Sequence, residues 1–403
     1  MSAAPDPAAP RRRQCPICGS TERRTLFRQS FERLSGVEFL SGYDVVVCAA
    51  CGLAYADGIP EQPVFDAYYR DLSKYEYQHT DGKESDLDER RFREIAATIA
   101  ALLDSDRSAR ILEIGCATGR LLSLLRHAGF PNVEGLDPSP GCARAALQRY
   151  DVPVSVGSLF SAAPLDRPFD CVILIGVLEH IEDLSGAVER LRTLLGPGGQ
   201  VYAEVPDAAN LAGRPDAAYQ EFSTEHINFF STESLANLFR ARGFDVVMTD
   251  RAVRQQHDNT LYPAAFGVFR KTAAPLPLVP DTTTEPGLRR YIDESAGIEA
   301  RIRRVLAQVP REQPLVVWGT GTHTQRLLAI GAFADVRIAA FVDSNPKYHG
   351  RSLHGIPVIG PASLAARKEP ILISTRGFQT EIQDQIRRQL KLDNQILLLY
   401  ENA

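Results

Sequence analysis

Two tracts of this chain alternate short apolar runs with amphipathic helical segments, and that rhythm constrains the fold more than any other feature. From Arg110 to about Arg270, ARILEIG, PNVEGLD, PFDCVILIG and GQVYAEVP read as strands. GRLLSLLRHAG, GCARAALQRY and LSGAVERLRTLL lie between them with apolar residues at helical spacing. Such alternation needs crossover connections, so it predicts a parallel sheet with helices on both faces. FDVVMTDRA and LYPAAFGVFRK follow as a closing pair of strands. A second, smaller alternation follows the helical segment YIDESAGIEARIRRVLAQV. Its strands are PLVVWGTGT, RIAAFVDSN, EPILISTRG and NQILLLY, with helices THTQRLLAIGA and QTEIQDQIRRQL.

The fold class is therefore α/β, with two sheet domains of unequal size. Residues 1–12 read as a disordered tail, because the basic residues of MSAAPDPAAPRRR have no apolar core behind them. Residues 13–82 form a cysteine-bearing module and connector, and 83–271 the larger sheet domain, opened by the helical segment KESDLDERRFREIAATIAALLD. The Pro- and Thr-rich stretch 272–287 reads as a linker, and 288–403 as the C-terminal α/β domain. Lys+Arg 45 against Asp+Glu 50 leaves a net charge of −5, the opposite of a nucleic-acid footprint. No apolar run approaches the ~20 residues that span a bilayer. The expectation is a cytoplasmic protein, monomeric or a small homo-oligomer, with a small-molecule substrate and neither nucleic acid nor membrane as partner.

Cys15-Pro-Ile-Cys18-Gly and Cys48-Ala-Ala-Cys51-Gly form two CxxC knuckles with 29 residues between them. Two such turns aim four thiolates at one point, the ligand set of a tetrahedral Zn²⁺. Four protein ligands leave no open coordination position, which predicts one structural zinc per chain. Cys116, Cys142 and Cys171 fall in the periodic region and read as small core residues.

Ile111-Leu112-Glu113-Ile114-Gly115-Cys116-Ala117-Thr118-Gly119 runs a strand into a glycine turn and a helix start, where backbone amides can meet a ligand. A second strand ends at Gly135-Leu136-Asp137, 17 residues beyond Gly119, and an acid there can accept ribose hydroxyls. The G-x-G-x-x-G of dinucleotide enzymes would need glycine at Ala117. The next strand ends in Gly176-Val177-Leu178-Glu179-His180, and Gly196-Pro197-Gly198-Gly199 follows the helix after it. E-x-G-x-x-x-G, the acidic strand end, L-E-H-I and P-G-G together resemble the class I S-adenosylmethionine-dependent methyltransferases. The resemblance implies S-adenosyl-L-methionine as cofactor. It gives Glu113, Gly115, Cys116 and Gly119 the methionine part and Asp137 the ribose, and places Glu179 at the cofactor. It gives His180 a loop-ordering role. Ser158 and Leu159 are the nearest candidates for an adenine contact, or else ordinary loop residues. No [N/D]-P-P-[Y/F] follows the fourth strand, which lowers a base amine as acceptor.

Residues 219–232, YQEFSTEHINFFST, fall at the ligand edge of that sheet. Glu225-His226 sits there among apolar and aromatic residues, able to act as a general base with an acidic neighbour or to serve as a cap and a packing residue. The order of a CxxC/CxxC module, a methyltransferase-like domain and a C-terminal α/β domain makes nearly the whole chain similar to the sugar C-methyltransferases, including E-H-x-x-x-F-S at Glu225, His226, Phe230 and Ser231, Asp343-x-Asn345-Pro346-x-x-x-x-Gly350, and Gly355-Ile356-Pro357-Val358. That resemblance implies an N-terminal zinc module, a class I methyltransferase Rossmann-like domain and a smaller C-terminal Rossmann-like domain. It implies methylation at C3 of a thymidine-diphosphate-linked keto-deoxysugar, in which His226 removes a proton to give an enolate and Glu225 is its partner. A family tyrosine on the connector corresponds to Tyr75 or Tyr77, with Tyr77 preferred. Ser223-Thr224 stands where the family has Y-H.

Val316-Val317-Trp318-Gly319-Thr320-Gly321 presents another glycine turn, without the family's lysine; Gln325 and Arg326 are the nearest polar substitutes. The turn is either an anion site or scaffold, and Asp343 either a ribose ligand or a turn residue. The expected function is methyl transfer from S-adenosylmethionine to a nucleotide sugar. The alternatives are O- or N-methylation of a natural product, and a non-catalytic protein that binds zinc and cofactor.

Overall fold

The computed structural model describes residues 9–37, 39–72, 86–103, 106–161, 167–214, 217–257 and 260–400. Tyr75 and Tyr77 lie outside them. Strands β1 (Arg23–Ser30), β2 (Gly42–Cys48) and β3 (Ala54–Asp57) form an antiparallel N-terminal sheet, followed by helices α1 (Gln62–Leu72) and α2 (Asp86–Leu102).

The larger domain then runs β4 (Ile111–Ile114), α3 (Arg120–His127), β5 (Val133–Asp137), α4 (Pro140–Tyr150), β6 (Val154–Val156), β7 (Phe169–Ile175), α5 (Leu184–Leu194) and β8 (Leu195–Pro206). After β9 (Asn228–Phe229) and α6 (Thr232–Arg240), the long hairpin β10 (Phe244–His257) and β11 (Thr260–Lys271) closes it. The seven-stranded sheet has the order β10-β11-β8-β7-β4-β5-β6. Strands β4 to β8 are parallel, and β11 runs antiparallel to both neighbours. All four residues of β4 are buried, as expected for a central strand covered on both faces. The helices start where the sequence caps them. Ser139 accepts from the Cys142 amide ahead of Pro140, Asp183 accepts from Gly186, and Ser231 with Ser234 forms a reciprocal box at α6.

The chain builds β4, β5 and β6 outward, then returns to place β7 on the other side of β4. That reversal opens a crevice at the carboxyl ends of β4 and β7, where open α/β sheets bind ligands. The Gly115 turn and Leu178–His180, a short 3-10 turn, border it.

Helix α7 (Thr284–Leu306) starts inside the stretch read as linker and leads to the C-terminal sheet. This sheet contains β12 (Leu315–Trp318), β13 (Ile338–Val342), β14 (Ser352–Leu353), β15 (Ile356–Ile359), β16 (Ile371–Ile373) and β17 (Ile396–Leu398), in the order β14-β15-β13-β12-β16-β17. Helices α8 (Thr322–Ala329) and α9 (Gln379–Asp384) connect its strands.

One apolar cluster runs through the N-terminal sheet, the 208–229 segment, α7 and the C-terminal domain. Phe222 packs edge-on to Phe229 and Tyr291, and the Arg326 guanidinium lies 4.0 Å from the Tyr219 ring centre. Segment 219–232 is thus gripped from several sides. Its strand β9 is the fourth strand of the N-terminal sheet and pairs antiparallel with β3, Tyr55 opposite Asn228. Among the described residues, no helix is long and apolar enough to cross a membrane.

Candidate active site

Gly115 and Gly119 both take positive φ, 71° and 77°, at the end of β4. A Cβ on Gly115 would sit 2.7 Å from the Val177 side chain, so only glycine lets the turn lie against the strand beyond. Ala117 also holds positive φ, fixed by its amide donating to Asp137 Oδ2 at 2.9 Å. Asp137 Oδ1 accepts from the Ser139 amide at 2.9 Å, so this buried acid aligns both the turn and the start of α4. Glu113 is 4% exposed, and its Oε2 has no hydrogen-bond partner. Burial, and then the nearby charge of Asp137, push its carboxyl well above the usual range. An orphaned buried carboxylate beside a glycine turn fits the ammonium end of an amino-acid ligand. Cys116 is buried with its sulfur against Gly135, a packing position. Beyond β6, Leu159 is buried and the Ser158 hydroxyl donates to Asp66 on α1 at 3.4 Å.

Across the crevice, Glu179 and His180 meet Glu225 and His226. His180 Nδ1 lies 2.9 Å from the Glu225 carbonyl oxygen and 2.9 Å from the Tyr69 hydroxyl. A carbonyl only accepts, so this nitrogen carries the proton and Nε2 turns toward Glu179, 3.9 Å away. The Ile227 amide donates to the Glu179 carbonyl at 2.8 Å, and Asn228 Nδ2 donates to the Leu178 and Ile181 carbonyls. These bonds lock the two segments together.

The structure adds Glu221 to the expected Glu225–His226 pair. His226 Nδ1 pairs with Glu221 Oε2 at 3.1 Å, while Glu225 Oε1 accepts from the Tyr68 hydroxyl at 3.2 Å. Adjacent residues in this irregular segment point apart, and the loop folds Glu221 back onto the ring. Burial disfavours the imidazolium. The Glu221 hydrogen bond, with the charges of Glu221, Glu179 and Glu225, outweighs it and raises the His226 pKa. Burial drives the Glu179 carboxyl up to about 7, opposed by His226. Glu221, Tyr68 and Tyr69 carry no local signature. Tyr68 comes from α1, 157 residues before its partner, and stacks on Phe39 with ring centres 4.0 Å apart.

In the N-terminal module the four cysteine sulfurs converge. Cys15 to Cys51 is 3.4 Å and Cys18 to Cys48 is 3.5 Å, too far for a disulfide and close to the spacing on a tetrahedral zinc, about 3.8 Å. Hydrogen bonds from Cys15 and Cys51 favour a thiolate at Cys48; the contact with Cys48 pushes Cys15 up, and those with Cys15 and then Cys48 push Cys51 up. Such a cluster fits a divalent cation, which would let all four thiols ionise. Gly52, after the second knuckle, has φ 83°, and a Cβ there would meet the Asp281 carbonyl at 2.1 Å.

In the C-terminal domain the Gly319 turn is already filled by its own carboxylate. Asp343 Oδ2 accepts from the Thr320 amide at 3.0 Å and from its hydroxyl at 2.5 Å. Arg326 points away, bonded to Glu299 and Gln29, and Gln325 donates to the Thr320 carbonyl. Neither side chain replaces the missing lysine.

Residues 87–249 match the family model for a methyltransferase domain. The matched residues run from α2 into β10 and include the crevice described above. Residues 312–397 match a second model, described as C2185-like, N-terminal. An uncharacterised methyltransferase of Staphylococcus carnosus is 31% identical over 101 residues, 25% of this chain and 48% of the relative. A ubiquinone biosynthesis O-methyltransferase of Ralstonia nicotianae is 33% identical over 99 residues, 23% of this chain and 41% of the relative. The chain thus spans less than half the length of these curated relatives. A 1,6-didemethyltoxoflavin N1-methyltransferase of Burkholderia thailandensis, solved with that compound and S-adenosylhomocysteine, is 23% identical with a TM-score of 0.41. That match covers 56% of this chain and 97% of the solved one.

Proposed function

We propose that the chain transfers the methyl group of S-adenosyl-L-methionine to a nucleotide-linked keto-sugar, with His226 as the base. The observation that carries this reading is the His226–Glu221 pair, whose ring packs on His180 three residues beyond Val177, the residue that faces the Gly115 turn. Glu113, with its unpartnered oxygen, would take the cofactor's ammonium, and Asp137 its ribose. Glu179, Ser158 and Leu159 would line the rest of its site. The cofactor, when bound, supplies an electrophilic methyl group on a sulfonium. Because Glu221 holds the proton on Nδ1, Nε2 is the nitrogen left to accept one from carbon beside the acceptor's ketone. The C–H electron pair would pass into the enolate, whose carbon would take the methyl group as its bond to the sulfonium sulfur breaks and that pair stays on sulfur. Tyr68 and Glu225 would hold an acceptor hydroxyl, and Tyr77 would contribute from the connector. Cys15, Cys18, Cys48 and Cys51 would hold one structural Zn²⁺.

Ser223, in place of the family tyrosine, favours a second reading in which the same base deprotonates a hydroxyl or amine of a small metabolite. A panel of nucleotide sugars with methyl-labelled S-adenosylmethionine, followed by NMR location of the label, separates methylation on carbon from that on oxygen or nitrogen. Full turnover by His226→Ala protein that still binds cofactor would remove the base assignment.

A further inference from the structure

The base region holds more ligand chemistry than proton transfer needs. Glu179, His180 and His226 each offer an atom, and these three atoms lie within 4.8 Å of one another. Both imidazoles are held by their Nδ1 side. His180 donates to the Glu225 backbone carbonyl and His226 to the Glu221 carboxylate. That is how metal-bound histidines are oriented, because an outer acceptor on one nitrogen fixes the lone pair on the other. The rings lie T-shaped with centres 4.9 Å apart, roughly the spacing of two imidazoles on one cation at about 2.0–2.1 Å per bond. The third group is a carboxylate whose Oε2 is buried and lacks a hydrogen-bond partner. Glu179 Oε1 stands 3.9 Å from His180 Nε2. Tetrahedral ligands are about 3.4 Å apart, so this pair closes by about half an ångström, and the other two, within 4.8 Å, by up to about 1.4 Å.

We infer that Glu179, His180 and His226 form a second cation site, which takes a borderline divalent ion such as Zn²⁺ or Co²⁺ and shuts off turnover. Two imidazoles and one carboxylate select such ions over Mg²⁺ or Ca²⁺ and leave a coordination position for water. Inhibition follows from one nitrogen having two uses. His226 Nε2 cannot accept the acceptor's proton while its lone pair is on a cation. This inference rests on the proposed role of His226 for its inhibitory half only; the binding half stands on geometry.

The two sites differ in colour. Co²⁺ on four thiolates gives intense sulfur-to-metal charge-transfer absorption in the near ultraviolet, whereas Co²⁺ on two imidazoles and a carboxylate gives only weak visible bands. The test titrates Co²⁺ into the full chain and reads both spectrum and turnover. The expected result is one equivalent with charge-transfer absorption, then a second without it, with turnover falling at least about tenfold as the second binds. Glu179→Gln and His180→Gln should each lose the second equivalent and keep the thiolate-bound first, which also reports that the variant has folded. A single equivalent in the unaltered protein, or a second one retained by both variants, would overturn the site. Turnover that holds or rises as the second equivalent binds would overturn the inhibition. If His226→Ala keeps full turnover the base reading fails, and the stoichiometry still decides the site.

Discussion

Glu221 and Glu113 carry the chemistry that single residues can test. Glu221 is the acid that touches His226 and helps raise its pKa, so Glu221→Gln should lower that pKa. A base works only when unprotonated. The acidic limb of kcat/KM should therefore move to lower pH in the variant, and the plateau should fall by roughly 10–100-fold as ring orientation loosens. Glu225→Gln, which leaves the Nδ1 contact in place, should shift the limb less; an equal shift in a pH–rate profile would argue against the pairing. Glu113 gives a different signature. Its folded pKa is raised by burial, so its contribution to stability is present at low pH and is lost as pH rises through that folded value. Glu113→Gln should make the ligand-free protein more heat-resistant at neutral pH while weakening S-adenosylmethionine binding about tenfold or more. In the unaltered protein, calorimetry in buffers of different ionisation enthalpy should record proton release on cofactor binding. The glycine turn and Asp137 were legible as a motif because they are close in sequence. The Glu221 contact was not, since five residues of irregular backbone have no fixed direction.

At the scale of elements, the proline-rich stretch before α7 is a strap rather than slack chain. The Asp281 amide donates to the Cys51 carbonyl, its Oδ2 accepts from the Ser231 and Thr284 hydroxyls, and its Oδ1 accepts from Thr283 and Thr284 at the start of α7. One residue thus ties the cysteine knuckle through its amide, and the end of the 219–232 segment and a helix start through its carboxylate. Asp281→Ala should cost about 1–2 kcal/mol, read from urea denaturation, because it uncaps α7 and strands the Ser231 hydroxyl. Burial opposes ionisation of this carboxyl, but its hydrogen bonds keep the pKa below the ordinary value, so its stabilisation should fade as pH drops into the carboxylate range. The long strands, β7, β8, β10 and β11, sit where the apolar runs predicted. β6, β9, β14 and β15, of two to four residues, do not stand out in the sequence. Such strands are too short to show a period, and their pairing is decided by what lies beside them.

For the whole molecule, the N-terminal module matters because β3 pairs with β9 and so holds the Glu225–His226 segment over the methyltransferase sheet. The Gly115 turn, where we propose that the cofactor binds, belongs to β4 and has no such dependence. Cys18→Ser, at the most exposed of the four clustered cysteines, should therefore lower bound zinc and turnover together, while S-adenosylmethionine affinity changes by less than about threefold. Metal analysis and calorimetry on the same sample would check this, and equal losses in both would contradict it. Periodicity and spacing by themselves determined two α/β sheets, a four-cysteine cluster and a strand–glycine turn–helix start, because each depends on residues a few positions apart. Only the tertiary structure decided that Glu221 faces His226, that Tyr68 reaches Glu225, and that Glu179 and His180 lie beside them. Those contacts join residues up to 157 positions apart, and sidedness across such distances is set by how sheets, helices and straps pack. No local pattern encodes it.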